Sequence, residues 1–268
     1  MARKRIESPK NDEVKSLVRL KQRRIRDRTQ LFLIEGTREI ERALAGGVYV
    51  QQLYICPEVM PTGGLELVGA QRPETEIIEL SPAAFERVSY RDTPDGFVAV
   101  AAMQQRDLGG LELPPDPLIL VIDGLEKPGN IGALLRSADG ADLDAVIMTG
   151  TGTDLYNPNV IRASMGSVFS RPVIVAAATD VVAFLASRSV TLITTSPAAE
   201  RVYWDADYCR GVAIAVGAEH AGLHADWFEE AGEHVSIPMH GLADSLNVAT
   251  AGALLLYEAL RQRRVRAG

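Results

Sequence analysis

The spacing of apolar and polar positions changes several times along this chain, and the changes mark two successive α/β regions. Residues 10–28 carry Val14, Leu17, Val18, Leu20 and Ile25 among basic residues, which predicts one basic amphipathic helix. Short strand-like runs then alternate with helical ones. LFLIE (31–35) precedes TREIERALAG (37–46), and VQQLYIC (50–56) follows. IIEL (77–80) leads into SPAAFERVSY, where Ser81 suits an N-cap and Pro82 the first helical position. FVAVAAM (97–103) closes this region as an apolar, β-branched strand.

Residues 104–117 (QQRDLGGLELPPDP) break the pattern with a Gly pair and three prolines, so a linker is placed there. It separates an expected N-terminal domain, 1–103, from a C-terminal one, 118–268. In the second, apolar runs recur at 118–123, 145–150, 172–176, 191–196, 211–217 and 234–239, with helical segments between. Continuous apolar strands alternating with helices predict an α/β domain whose mostly parallel sheet is covered on both faces. Residues 245–264 read as the last helix. Its stretch AGALLLYEAL is apolar nearly all round, so one side is expected on the sheet and the other on a further buried surface. A homodimer contact is the preferred explanation for that second surface.

Composition adds limits. With 268 residues, 47% hydrophobic and 24% charged, the chain is an ordinary globular one, long enough for one large domain or two modest ones. The longest apolar runs, 211–218 and 251–257, fall short of the ~20 residues of a bilayer helix. The basic N-terminus has no apolar segment behind it, so no secretory signal is expected. Cys56 and Cys209 stand in neither a CxxC pair nor a zinc spacing; a reducing, cytoplasmic setting is expected, without a disulfide framework or a metal.

A net charge of −7 speaks against a nucleic-acid partner until its distribution is considered. Arg19, Arg23, Arg24 and Arg26 belong to a cluster of basic residues in the first thirty, and Arg261, Arg263, Arg264 and Arg266 crowd the C-terminus. Basic ends on an acidic body can present a positive face to phosphates. A solvated leader is the alternative reading of the same charges.

In open α/β sheets ligands bind beyond the carboxyl ends of strands, and three such places carry candidate chemistry. After the 118–123 strand, Asn130 sits where a helix would begin and Arg136 follows six residues later. The pair could hold a phosphate or ribose; an N-cap Asn and a solvated Arg are the plainer account. After the 211–217 strand, Gly217 and Gly222 bracket a tight loop with Glu219 as its acidic group, leaving room for a cofactor against the backbone. After Ile237-Pro238-Met239 comes a polar loop, and Ser245, Leu246 and Asn247 open the last helix. Ser245 could be its cap, whereas an Asn in a first turn suggests a placed hydrogen bond. Two weaker patterns are set aside. GTGTDL (150–155) has Leu155 where a dinucleotide loop needs its third glycine, and His220 and His224 lack a third ligand.

Together, NIGALLRSA (130–138), VGAEHAGL (216–223) and IPMHGLADSLNVATAGALLLYEA (237–259) resemble, in order and spacing, the three signature motifs of the SpoU/TrmH branch of the SPOUT RNA methyltransferases. NPNVIRASMGSVFSRP (157–172), with Arg162, also resembles that family, and FLIEGTREIERAL is similar to the ribosomal-protein-like α/β substrate-binding domain that often precedes it. The resemblance implies a C-terminal SPOUT domain with a deep trefoil knot, S-adenosylmethionine as cofactor, and a homodimer with composite active sites. It implies 2′-O-ribose methylation of structured RNA, ribosomal RNA first, with the large-subunit RNA a candidate. Transfer RNA methylation, an antibiotic-site methylase, a non-catalytic RNA-binding or assembly factor and a nucleotide-dependent oxidoreductase are the alternatives.

The resemblance also implies roles. Arg136 is the catalytic arginine, often drawn as a general base. A guanidinium releases its proton at high cost, so a charged clamp that stabilises a developing alkoxide is the easier role. Asn130 orients Arg136 or the ribose, and Ser245 and Asn247 orient the nucleotide. Glu219 holds the second loop. Cofactor contacts, largely main-chain, fall at Thr195, Gly217, Glu219, Gly222, Ile237, Met239, Leu246 and Asn247. Arg162 binds RNA phosphate by the same resemblance, and Arg19, Arg23, Arg24 and Arg26 are RNA-binding candidates on the charge of the leader alone.

Overall fold

A computed structural model of the chain describes residues 4–62, 64–150, 154–218, 222–223 and 225–267. From the N-terminus run β1 (Lys4–Ile6), α1 (Asp12–Arg19), α2 (Arg23–Thr29), β2 (Leu31–Glu35), α3 (Thr37–Ala45), β3 (Val50–Ile55), α4 (Gly64–Gly69), β4 (Glu76–Leu80), α5 (Pro82–Val88) and β5 (Phe97–Ala102). Then follow β6 (Leu118–Asp123), α6 (Pro128–Gly140), β7 (Ala145–Thr149), α7 (Pro158–Ala163), β8 (Val173–Val175), α8 (Ala178–Ser187), β9 (Thr191–Thr195), β10 (Val212–Val216), α9 (Ala225–Glu230), β11 (Glu233–Val235) and α10 (Val248–Ala267).

These elements form two compact units. Met1–Gln105 with Asp154–Ser170 make the first, and Arg106–Thr153 with Arg171–Gly268 the second. A single linear cut at 104–117 therefore does not describe the partition: the stretch from Asp154 to Ser170 belongs with the N-terminal residues.

Unit 1 is built on a five-stranded sheet in the order β1-β4-β3-β5-β2. β1, β3 and β4 are parallel, while β5 runs antiparallel to β2 and β3. Val14 and Leu17 of α1 join Leu33, Tyr54, Ile78, Phe85 and Val98 in its core. The basic leader thus contributes a strand, because Ile6 can be buried while Lys4 and Arg5 stay at the surface of the sheet edge. The expected helix over 10–28 is two helices. Asn11 caps α1, its Oδ1 accepting from Glu13 N at 2.8 Å. The break before α2 is held by Arg26, whose Nη1 donates to the carbonyls of Leu20 and Lys21, each at 2.8 Å. Ser81 caps α5 ahead of Pro82, as expected.

Unit 2 is a six-stranded, fully parallel sheet in the order β11-β9-β10-β6-β7-β8. Every residue of β6 and β7 is buried, as strands covered on both faces require. On one face Val121, Ala213 and Ala215 pack with Val181, Leu185 and Trp227. On the other, Gly252 of α10 lies against Leu134 of α6 and Val216 of β10. The alternation of neighbouring residues between faces accounts for both layers.

The last helix starts at Val248 rather than at 245. Leu255, Leu256 and Ala259 are buried, while Leu254 and Tyr257 are exposed. Three of the four C-terminal arginines are engaged within the unit. Arg263 donates to the carbonyls of Asp116, Pro117, Tyr208 and Arg210, Arg266 to that of Cys209, and Arg261 pairs with Glu258. A forked donor set satisfies loop carbonyls well, and here it ties the helix to the loops before β6 and β10. Among the described residues no helix is long and apolar enough to cross a membrane.

Candidate functional site

The parallel strands β9 and β10 end side by side, and the chain after β11 returns past their ends before α10 begins. A cavity of about 570 Å³ lies there, within the usual ~300–1,000 Å³ of small-molecule sites. Thr195 and Ser196 reach it from the end of β9, Gly217 and Ala218 from the end of β10, Ile237 and Met239 from the loop after β11. Residues Asp244–Val248 and Ala251 line the side nearest α10. Of the expected cofactor contacts, Thr195, Gly217, Gly222, Ile237, Met239, Leu246 and Asn247 all line this one cavity, and so does Ser245. Glu219, His220 and His224 lie outside the described residues.

The loop after β10 is pinched shut. Ala218 N donates to Gly222 O at 3.0 Å, and Gly222 N to Ala218 O at 2.8 Å. Gly222 has a φ of 69°, a conformation that L side chains rarely adopt. At Gly217 the constraint is space: a Cβ there would collide with the backbone of Gly222 and Leu223. Both glycines thus keep a strip of bare main chain along the cavity wall. Among the described residues the lining is mostly apolar, with polar side chains at Thr195, Ser196, Asp244, Ser245 and Asn247. Such a wall offers an aromatic or aliphatic ligand its flat contacts and leaves hydrogen bonding largely to amides and carbonyls.

Asn247 is the cap of α10, its Oδ1 accepting from Ala249 N at 2.9 Å. This corrects the assignment of the cap to Ser245, which stands exposed two residues earlier on the cavity rim. Asn130 is not a cap either. The first turn of α6 starts at Pro128, leaving Lys127 at the cap position, where its side chain makes no capping bond, and Asn130 inside the turn. There Asn130 accepts from Asn247 Nδ2 at 3.3 Å, so the first and third motifs meet at the cavity edge.

Arg136 is not among the lining residues. At ~100° per residue it lies about 120° around α6 from Asn130 and ~9 Å along its axis, so the two share no face. Its side chain is exposed and makes no hydrogen bond or ion pair among the described residues. Behind these motifs, Asp123 at the end of β6 accepts from Thr149 Oγ1 of β7 at 2.6 Å, fastening the strand ends from which α6 departs.

The expected RNA contacts divide sharply. Arg19, Arg23 and Arg24 are exposed on α1 and α2, with Arg23 near Asp27. Arg162 is exposed on α7, in unit 1 rather than in the unit that holds the cavity. Arg26 is 1% exposed and paired with Asp154, so its assignment to RNA is overturned. Its Nη1 and Nη2 are engaged within the unit, and its Nε, though unpaired, is buried, so burial keeps a phosphate from reaching it.

Sequence reasoning passed over Ser196, Pro197, Val216, Ala218, Leu223, Asp244, Val248 and Ala251, which also line the cavity. Most directly flank a residue that was singled out; Asp244, beside Ser245 in the polar loop, gave the clearest missed signal.

Comparison with known proteins follows the same two regions. Residues 117–257 match the SpoU rRNA Methylase family, and residues 11–99 match the MRM3-like substrate binding domain. Over 254 residues the chain is 33% identical to the 23S rRNA (guanosine(2553)-2'-O)-methyltransferase RlmP of Bacillus subtilis, spanning 95% of this chain and 98% of that protein. It is similar to a crystal structure of an RNA 2'-O ribose methyltransferase, with 47% identity, a TM-score of 0.85, and coverage of 97% and 99% of the two chains. The SpoU methyltransferase AviRb from Streptomyces viridochromogenes, in complex with AdoMet, is 31% identical with a TM-score of 0.88, over 95% of this chain and 99% of that one.

Proposed function

Because this chain belongs to the SpoU rRNA methylase family, we propose that it methylates a ribose 2′-hydroxyl of 23S ribosomal RNA, using S-adenosylmethionine. The observation that carries this reading is the cavity at the ends of β9 and β10, where seven of the eight expected cofactor residues converge. Its fit to that cofactor rests on the main-chain strip kept bare by Gly217 and Gly222 and on the apolar floor of Val216, Leu223 and Val248. When bound, the cofactor's sulfonium supplies an electrophilic methyl group, and the transfer needs no metal.

The remaining work falls to side chains. The main chain around Gly217, Ile237, Met239 and Leu246, with Thr195, holds the cofactor. Asn130 and Asn247, already bonded to each other, fix the rim where the ribose enters. Ser245 and Asp244, exposed on that rim, orient the nucleotide. Arg136 keeps its charge, grips a phosphate and stabilises the 2′-oxygen as it bonds to the methyl group and gives its proton to solvent water; positioning of this kind is worth up to ~7–11 kcal/mol in well-oriented cases. Glu219 supports the second loop.

Arg136 lies outside the cavity lining and Leu254 and Tyr257 are exposed on α10; both facts favour a homodimer with composite sites, and the knotted chain path expected of the family goes with it. Arg19, Arg23, Arg24 and Arg162 supply phosphate contacts, and structured RNA is read by shape through such contacts. A ribosomal substrate implies a cytoplasmic setting.

The test is transfer of tritiated methyl from S-adenosylmethionine to ribosomal and transfer RNA, fractionated afterwards. Label in 23S RNA, recovered as an alkali-resistant dinucleotide, is the expected result. Label confined to transfer RNA, or no binding of the cofactor by calorimetry, overturns the reading.

A further inference from the structure

The stretch from Asp154 to Ser170 belongs to unit 1, and its attachment there is made by specific side chains. At its start Asp154 pairs with Nη2 of the buried Arg26, whose Nη1 is occupied by the carbonyls of Leu20 and Lys21. Two residues on, the Tyr156 hydroxyl accepts from Gln104 N and donates to Gln104 O, each at 2.9 Å, and its ring lies 4.5 Å from that of Phe32. Asn157 caps α7, its Oδ1 accepting from Asn159 N at 2.9 Å. Beyond α7, Arg42 of α3 donates to Met165 O at 2.7 Å. The short helix that displays Arg162 is thus tied down on both sides.

The helix to which Asp154 is tied is α2. Its outer face carries Arg23, Arg24 and Arg28, all exposed, and Arg26 is the residue that points inward. We propose that the Arg26–Asp154 ion pair is a positioning device for substrate RNA: it sets α2 and α7 in one fixed register, so that their exposed arginines meet successive phosphates together. Asp154 is then a positioning residue that touches no RNA itself. The inference rests on the RNA reading given above and goes beyond it by naming what ties α2, with its three exposed arginines, to the segment that displays Arg162.

A carboxylate at this position has two properties that a neutral amide lacks. It holds the guanidinium by charge as well as by hydrogen bonding, and it keeps Arg26 from seeking a phosphate of its own. Loss of the pair removes the one tie described between the start of this segment and α2, while the ties through Tyr156 and Arg42 stay and no phosphate-facing arginine is lost.

The experiment compares the wild-type chain with Asp154→Asn, Asp154→Glu and Arg26→Lys, using full-length 23S ribosomal RNA as the probe. RNA affinity is measured across a range of salt concentrations, and cofactor affinity and melting temperature are followed alongside. Asp154→Asn is expected to weaken RNA binding about tenfold and to lower the slope of log affinity against log salt by roughly one, with cofactor affinity unchanged. Asp154→Glu restores both. Should Asp154→Asn fail to fold, Arg26→Lys, which keeps the charge but not the fork, is expected to give the same loss. A folded Asp154→Asn or Arg26→Lys chain with wild-type RNA affinity and salt slope overturns the inference. Wild-type protein that binds no ribosomal RNA overturns the RNA reading as well, and so the two failures are told apart.

Discussion

Asn247 and Asn130 are joined by one hydrogen bond, Nδ2 to Oδ1 at 3.3 Å, while the same Asn247 side chain caps α10 through Ala249 N at 2.9 Å. One amide therefore serves the helix with its oxygen and the neighbouring motif with its nitrogen. Asn247→Asp keeps the cap and loses the donor, whereas Asn247→Ala loses both. Urea denaturation is expected to show Asn247→Ala destabilised by about 1 kcal/mol and Asn247→Asp near wild type, with methyl transfer impaired in both. Activity retained in a folded Asn247→Asp chain would show that the bond to Asn130 has no functional role.

Gly217→Ala puts a methyl group against the backbone of Gly222 and Leu223, where no flexible side chain can give way. Overpacking of this sort costs about 1–3 kcal/mol, and here the strain falls on the cavity wall. Calorimetry is expected to find cofactor binding lost while the chain remains folded by circular dichroism. Wild-type cofactor affinity in this variant would mean that the ligand lies elsewhere.

Arg136 is exposed and has no hydrogen bond or ion pair among the described residues, so its removal has little structure to disturb. Arg136→Ala is expected to stay within about 0.5 kcal/mol of wild-type stability. Its kcat should fall by about 10²–10³ at saturating cofactor, the usual loss for a donor aimed at developing charge. A fall in melting temperature that accounts for the lost activity would assign Arg136 to the fold instead.

Glu35 gives a pH signature in unit 1. Burial pushes its pKa above the ordinary 4.5, outweighing the Ser89 hydroxyl, the Tyr90 amide and the charges of Arg91 and Lys21. The folded state thus holds this proton more tightly than the unfolded one does. Stability from this group is present below about 4.5 and lost as pH rises through the higher folded value. Glu35→Gln should remove that decline, so the difference in urea midpoint between the two proteins narrows or reverses from acid to neutral pH. Parallel profiles would show that Glu35 does not titrate differently on folding.

Leu254 and Tyr257 are apolar residues exposed on α10, and Tyr257 stands over Gly140 of α6, where a Cβ would lie 2.7 Å from its hydroxyl. If a second copy covers them, Leu254→Glu should turn a dimer into a monomer in analytical ultracentrifugation. An unchanged sedimentation coefficient would remove α10 from the interface.

The second sheet was legible because its strands are buried on both faces and so read as unbroken apolar runs. Leu118–Asp123 and Thr191–Thr195 fall where the pattern puts them, to within a residue. The cavity at the ends of β9 and β10 was legible because glycine, proline and asparagine mark strand ends. What the pattern hid was tertiary. Arg26 has the same charge and spacing as Arg23 and Arg24, and only the carbonyls of Leu20 and Lys21 and the carboxylate of Asp154 make it a core residue. Asp154 itself lies 128 positions away, beyond the reach of any periodicity. The start of α10 was misjudged by three residues because Ser245 and Asn247 are equally good caps on propensity, and the choice is made by the bond to Asn130.

The membership of Asp154–Ser170 in unit 1 bears on how such a chain can be recombined. Phe32 of the N-terminal sheet packs its ring against Tyr156 and Phe169, so part of that unit's interior is encoded after β7. An N-terminal fragment ending at 103 would leave this patch bare, and a graft of that fragment onto another catalytic half would inherit the same defect. The transferable module is discontinuous, and exchanging substrate specificity between relatives requires moving both of its pieces at once.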